Sequence, residues 1–257
     1  MSMLQGYCRA TTIHQILSTL FAGNVERLST KKAQIFNSVL GYDGIKRAFS
    51  RSLISKEPVH ILMVGPSGHA KTLFLKCILE TFGKSVFFTV DGNASKSGLI
   101  DVLFEMQPKC LLVDEIEHLK SDYQTTLLSL IKTGILTQTM HKRIRQAHLE
   151  TWIFATSTGT KKLSAPLLSR FRVMHLNEYE FSQFYEISVK KLLAEGLDKK
   201  AAEEIAISLW EQLPNPNIRN CVQISCLVKN EADIEMVITD EIQKFKEHGV
   251  QQLTRSL

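Results

Sequence analysis

The chain has 257 residues, 44% of them hydrophobic, enough for one large domain or two modest ones with a proper core. Its net charge of +5, from 31 basic and 26 acidic residues, is mild and commits the chain to neither nucleic acid nor protein as a partner. Five scattered cysteines without C-x-x-C spacing argue against a disulfide framework or a zinc site. No apolar run approaches the roughly 18 residues of a membrane span, so the expectation is a cytoplasmic protein with reduced thiols and no membrane partner.

In chain order, residues 1–34 read as a helical extension. Within it Ile13, Ile16, Leu17 and Leu20 follow i, i+3, i+4, i+7 spacing over 12–21, and Gly23-Asn24 would end that helix. From 35 to 177 short apolar runs alternate with helical patterns. Strands are expected at 60–64, 85–90, 110–113, 151–155 and 172–176, with helices between them, for instance over 71–82 and 121–132. That alternation predicts an α/β fold, a parallel sheet flanked by helices. From 178 to 257 the strand signals stop. The segments 180–194, 199–212, 217–229 and 234–248 read as helices, with Pro214 and Pro216 breaking the pattern, so a small all-α domain should follow the sheet.

The apolar run ending at Val64 leads straight into Gly65-Pro66-Ser67-Gly68-His69-Ala70-Lys71-Thr72. A strand, a tight loop and a helix start in that order form an anion cradle. Backbone N–H groups wrap phosphate oxygens, Lys71 reaches the outer phosphates and the Thr72 hydroxyl is placed for Mg²⁺. Ala70 stands where a second glycine is expected, and a positive φ there would strain it. Farther on, the run from Cys110 to Val113 ends in Asp114 and Glu115. The first is suited to Mg²⁺ and the second to polarising a water; Glu117 and His118 read as surface residues of the next turn. Thr156, Ser157 and Thr158 hang from the 151–155 strand, and Arg170 or Arg172 could offset charge on a transferred phosphoryl group. Between these, residues 134–149 read as two strands around a basic tip, with His141, Lys142, Arg143 and Arg145 as a positive cluster for a nucleic-acid backbone.

Taken as an ordered set, these segments resemble the AAA+ ATPases. Gly65–Thr72 is similar to their Walker A loop, 111–115 to Walker B, 155–157 to sensor 1, 167–171 to the arginine-finger segment, and Asn217-Ile218-Arg219-Asn220 to the start of a sensor 2 helix. Val39-Leu40-Gly41-Tyr42-Asp43 resembles the segment that packs against adenine. The resemblance implies ATP and Mg²⁺ as cofactors. It implies Lys71, Thr72, Asp114 and Glu115 at the nucleotide, Ser157 as sensor 1, Arg219 as sensor 2 and Arg170 acting on a neighbour's site. It also implies a homo-oligomeric ring, of which a hexamer is one form. Within the family the chain looks like the group with a β-hairpin before sensor 1, the RuvB-type branch-migration motors and MCM-like helicases. That similarity implies a motor with DNA as candidate substrate. A MoxR-like protein-remodelling ATPase and a nucleotide switch with little turnover are the alternatives.

Overall fold

A computed structural model describes residues 35–90, 96–140, 143–213, 215–228 and 233–254. The expected helix at 12–21 lies outside them. The described residues fall into two compact units. One contains residues up to Val64 together with Ala70–His175; the other contains Gly65–His69 and the chain from Leu176 onward.

The first unit is a five-stranded parallel sheet in the order β2-β3-β6-β1-β7. Its strands are β1 (Ile61–Val64), β2 (Val86–Val90), β3 (Cys110–Asp114), β6 (Trp152–Ser157) and β7 (Arg172–His175). Both β1 and β3 are buried along their whole length, as strands covered on both faces must be. On one face Leu62, Val113, Ile153 and Ala155 join Leu103 and Leu127 in the main apolar cluster. On the other, side chains of opposite parity meet an aromatic group in which Phe49 stacks on Phe74 at 5.4 Å and touches Phe154 at 4.9 Å. His60, just before β1, accepts the Ile153 N–H at Nδ1 (3.1 Å), and burial lowers its pKa to about 4, so it stays neutral.

The helices of this unit are α1 (Asp43–Leu53), α2 (Lys71–Phe82), α3 (Lys96–Met106), α4 (Ser121–Thr133) and the single turn α5 (Ala165–Leu168). Strands β4 (Ile135–Met140) and β5 (Arg143–His148) pair antiparallel from Ile135↔His148 to Met140↔Arg143, the expected hairpin. Strand β6 runs two residues past the apolar pattern. Thr156 and Ser157 remain in register with Met63 and Val64 because the ladder uses backbone groups and is indifferent to their hydroxyls.

The second unit holds α6 (Phe181–Ala194), α7 (Lys199–Gln212), α8 (Ile218–Leu227) and α9 (Ile234–Thr254). Each of the middle two starts on a side-chain cap. Asp198 accepts the Ala201 N–H, and Asn217 accepts those of Arg219 and Asn220. Helix α7 buries Ala201, Ala202, Ile205, Ala206 and Leu209, an i, i+3/i+4 stripe that fixes its inward face. No helix among the described residues is long and apolar enough to cross a membrane.

Candidate functional site

In the sheet unit, the carboxyl ends of β3 and β6 meet the start of α2. The Thr72 hydroxyl donates to Asp114 Oδ2 at 2.9 Å. The Thr156 hydroxyl donates to Asp114 Oδ1 and accepts the Glu115 N–H at 2.9 Å. One hydroxyl thus ties both acidic residues to β6. Lys71 and Asp114 are buried, at 8% and 7% exposure. Glu115 has left-handed backbone (φ 54°, ψ 51°), which turns the chain sharply out of the strand. Asp114 and the Thr72 hydroxyl form a pair of hard oxygen donors of the kind Mg²⁺ takes alongside phosphate oxygens and water. Among the described residues no group of three His, Cys, Asp or Glu could hold a metal without such help.

The expected sensor, Ser157, is fully buried, and its hydroxyl donates to the Gly159 carbonyl at 2.5 Å. Arg170 is exposed after α5, next to the buried Phe171; Arg172 is exposed as well. Tyr42 caps α1 at φ 55° with its ring 6.4 Å from that of Phe74, while Leu40 is half-buried and Gly41 exposed.

The loop itself is shaped within the helical unit. A Cβ on Gly65 would come within 2.5 Å of the Leu176 carbonyl oxygen. One on Gly68, which sits at φ 82°, would come within 2.7 Å of Asn217 Cβ. Only glycine fits either position. His69 is buried, stacks on Tyr179 at 4.9 Å and 24°, and donates from Nδ1 to the Ser67 carbonyl at 2.9 Å. A cavity of about 550 Å³ opens beside the loop, walled by Pro66, Ser67, His69, Tyr179, Trp210 and Asn217. Ala70, where the chain re-enters the sheet unit, sits at φ 57°, ψ 1°, the strained geometry that its place in the loop pattern predicts.

Arg219 is exposed on the first turn of α8, and Asn217 is the residue that approaches Gly68. Two placements depart from the sequence reading. Glu117, expected on the surface, is only 7% exposed, because the 3₁₀ turn Ile116–His118 folds its side chain back toward the end of β6; His118 alone stays out. Thr156, in sequence only one of three turn hydroxyls, is the residue that holds the acidic pair. Its role follows from register across three strands, which no local pattern encodes.

The hairpin splits the basic cluster. Arg145 Nη1 lies 3.3 Å from Asp101 Oδ1 on α3, and its guanidinium stands 4.6 Å over the Phe104 ring. Gln138 donates to the same Asp101 oxygen at 3.2 Å. Arg145 is therefore docked on α3, although half of its side chain remains exposed. His141 and Lys142 lie outside the described residues, and Arg143 opens β5.

Comparison with known proteins fits this geometry. Residues 61–179 match the ATPase family associated with various cellular activities (AAA). The chain is 30% identical over 159 residues to the Holliday junction branch migration complex subunit RuvB of Ligilactobacillus salivarius, covering 57% of this chain and 47% of that protein. It is 26% identical over 213 residues to the RuvB of Fusobacterium nucleatum, covering 77% and 63%. The chain spans about half the length of these relatives. The Thermotoga maritima RuvB Holliday junction branch migration motor superposes with a TM-score of 0.57 at 20% identity, over 83% of this chain and 72% of that one, a likeness that speaks for the fold.

Proposed function

We propose that this chain, whose residues 61–179 match the AAA ATPase family, is a RuvB-like member of it that hydrolyses ATP and couples turnover to movement on DNA. The observation that carries the reading is the 2.9 Å contact between the Thr72 hydroxyl and Asp114. It brings together the residue after the phosphate-binding lysine and the first carboxylate of the strand end. Backbone N–H groups of the loop and Lys71 hold the phosphates. Thr72 and Asp114 would hold Mg²⁺, which when bound offsets phosphate charge. Glu115, turned out of the strand by its left-handed backbone, accepts a proton from water. Leu40, Gly41 and Tyr42 are the candidate adenine contacts. Ser157 reaches a phosphate after giving up its bond to Gly159, and Arg170 serves a neighbouring copy in a ring.

The DNA part of the reading is supported by the hairpin and by the RuvB relatives, which also favour it over protein remodelling. Lys142 and Arg143 are the candidates for phosphate contacts, with Arg145 contributing less because Asp101 already engages it.

The test measures ATP binding and turnover with and without duplex and junction DNA at low salt. Lys71→Ala loses nucleotide binding. Glu115→Gln keeps it and loses turnover by about 100-fold or more, the usual scale for removing a general base. Undiminished hydrolysis by Glu115→Gln ends the catalytic assignment. DNA stimulation that vanishes in Lys142→Ala/Arg143→Ala supports the motor reading, and no salt-dependent DNA response removes it while leaving the ATPase standing.

A further inference from the structure

Two cross-ties join the end of β3 to the end of β6. The first is the Thr156 hydroxyl on Asp114 and Glu115. The second comes from Glu117, whose Oε1 accepts both the Thr158 N–H at 2.6 Å and the Thr158 hydroxyl at 2.7 Å. Ser157 stands between the two tied residues, and the strained Glu115 stands two residues before Glu117. The carboxylate is costly where it sits. It is 7% exposed, and its Oε2 is buried without a hydrogen-bond partner. Burial alone would raise its pKa, yet the Thr158 N–H and hydroxyl, helped by its own N–H, bring it below the ordinary carboxylate value. A glutamine could accept the same two bonds through one oxygen without burying charge. A carboxylate makes them shorter and stiffer, as the two distances illustrate.

We infer that Glu117 is a positioning residue, an ionised clamp on Thr158 that holds the Glu115 turn and the Ser157 segment in fixed relation at the strand ends. A residue in left-handed geometry keeps it only when its surroundings over-determine it, and Glu117 anchors the far side of that turn. A base held loosely still meets nucleotide, but spends less time aligned with the water it must activate, so the effect falls on turnover and not on affinity. This inference rests on the ATPase reading.

The test compares wild type, Glu117→Gln and Thr158→Val for ATP affinity, KM, kcat and urea unfolding midpoint, with Glu115→Gln as the dead control. Glu117→Gln should fold, bind ATP within about twofold of wild type and lose about tenfold in kcat, because small misplacements near the reacting atoms cost that much. Thr158→Val keeps the N–H bond and should lose about threefold, again in kcat alone. If Glu117→Gln does not fold, Thr158→Val decides by the same split. Unchanged kcat in both variants, or a loss of kcat matched by equal losses in affinity and stability, overturns the clamp. Wild type that turns over while Glu115→Gln does not, with Glu117→Gln and Thr158→Val both like wild type, sinks this inference alone. Wild type without turnover sinks the ATPase reading and the clamp with it.

Discussion

Two stretches of the chain are held by opposite means. Past the ends of β3 and β6, Asp114, Glu115 and Glu117 are fixed by hydroxyls: Thr72 and Thr156 on the aspartate, Thr156 on the Glu115 N–H, Thr158 on Glu117. The loop Gly65–His69 is fixed by closeness, with Gly65 against the Leu176 carbonyl, Gly68 against Asn217 and His69 flat on Tyr179. The first region is vulnerable to losing a polar atom, because each leaves a buried partner unsatisfied. The second is vulnerable to gaining a carbon at Gly65 or Gly68, because neither position has room for one. Charge must be placed by directional bonds, whereas a backbone that wraps phosphate must come closer than side chains permit.

The sharpest way to break this contrast is Thr156→Val, which keeps shape and deletes the hydroxyl. Asp114 Oδ1 and the Glu115 N–H each lose a partner, so we expect a loss of about 2–4 kcal/mol, since an unsatisfied buried group costs roughly 1–3 kcal/mol and a charged one more. Urea unfolding reads it. A cost below about 1 kcal/mol would mean that water or a shifted side chain readily replaces the hydroxyl, and the corner is not built on it. Next comes Gly68→Ala. A methyl at 2.7 Å from Asn217 Cβ, on a residue at φ 82°, should cost about 2 kcal/mol in clash and backbone strain together, and weaken ATP binding by roughly tenfold. Binding of labelled ATP and the unfolding midpoint report the two parts. Normal binding by the Gly68→Ala variant would show that the Asn217 cap yields, and that the loop is less tightly confined than its spacing suggests.

Much of the sheet unit was legible because residue type and order dictate it. Apolar runs buried on both faces announce parallel strands, and the carboxylate pair at the end of one is singled out only by the phosphate-loop pattern earlier in the chain. The hairpin was legible from its basic break between two short runs. What escaped depends on distances across the fold. Charge draws attention to Arg219, but an asparagine one residue before a helix is its natural cap, and that cap is what approaches Gly68. Glu117 looks like a solvated turn residue because glutamate is rarely buried; only the reach of the 3₁₀ turn toward Thr158 reveals otherwise. Arg145 counts toward a free basic cluster until α3 supplies Asp101 and Phe104 beneath it.

The smallest effect separates the two regions most cleanly, because it runs against the usual direction of mutation. Ala70 caps α2 at φ 57°, and its carbonyl accepts the Phe74 N–H at 3.1 Å, so the helix is well begun despite a residue that disfavours the conformation. An L-residue held there carries roughly 1–2 kcal/mol of strain, while glycine carries none but gives up more chain entropy on folding, about 0.5–1 kcal/mol. Ala70→Gly should therefore stabilise by up to about 1 kcal/mol, or roughly 2–4 °C in Tm for a domain of this size. Removing an atom strengthens the fold here, whereas removing one from Thr156 weakens it. Thermal unfolding of the two variants side by side supplies the comparison. If Ala70→Gly instead lowers Tm, the alanine methyl contributes packing that outweighs its strain, and closeness no longer explains how the loop re-enters α2.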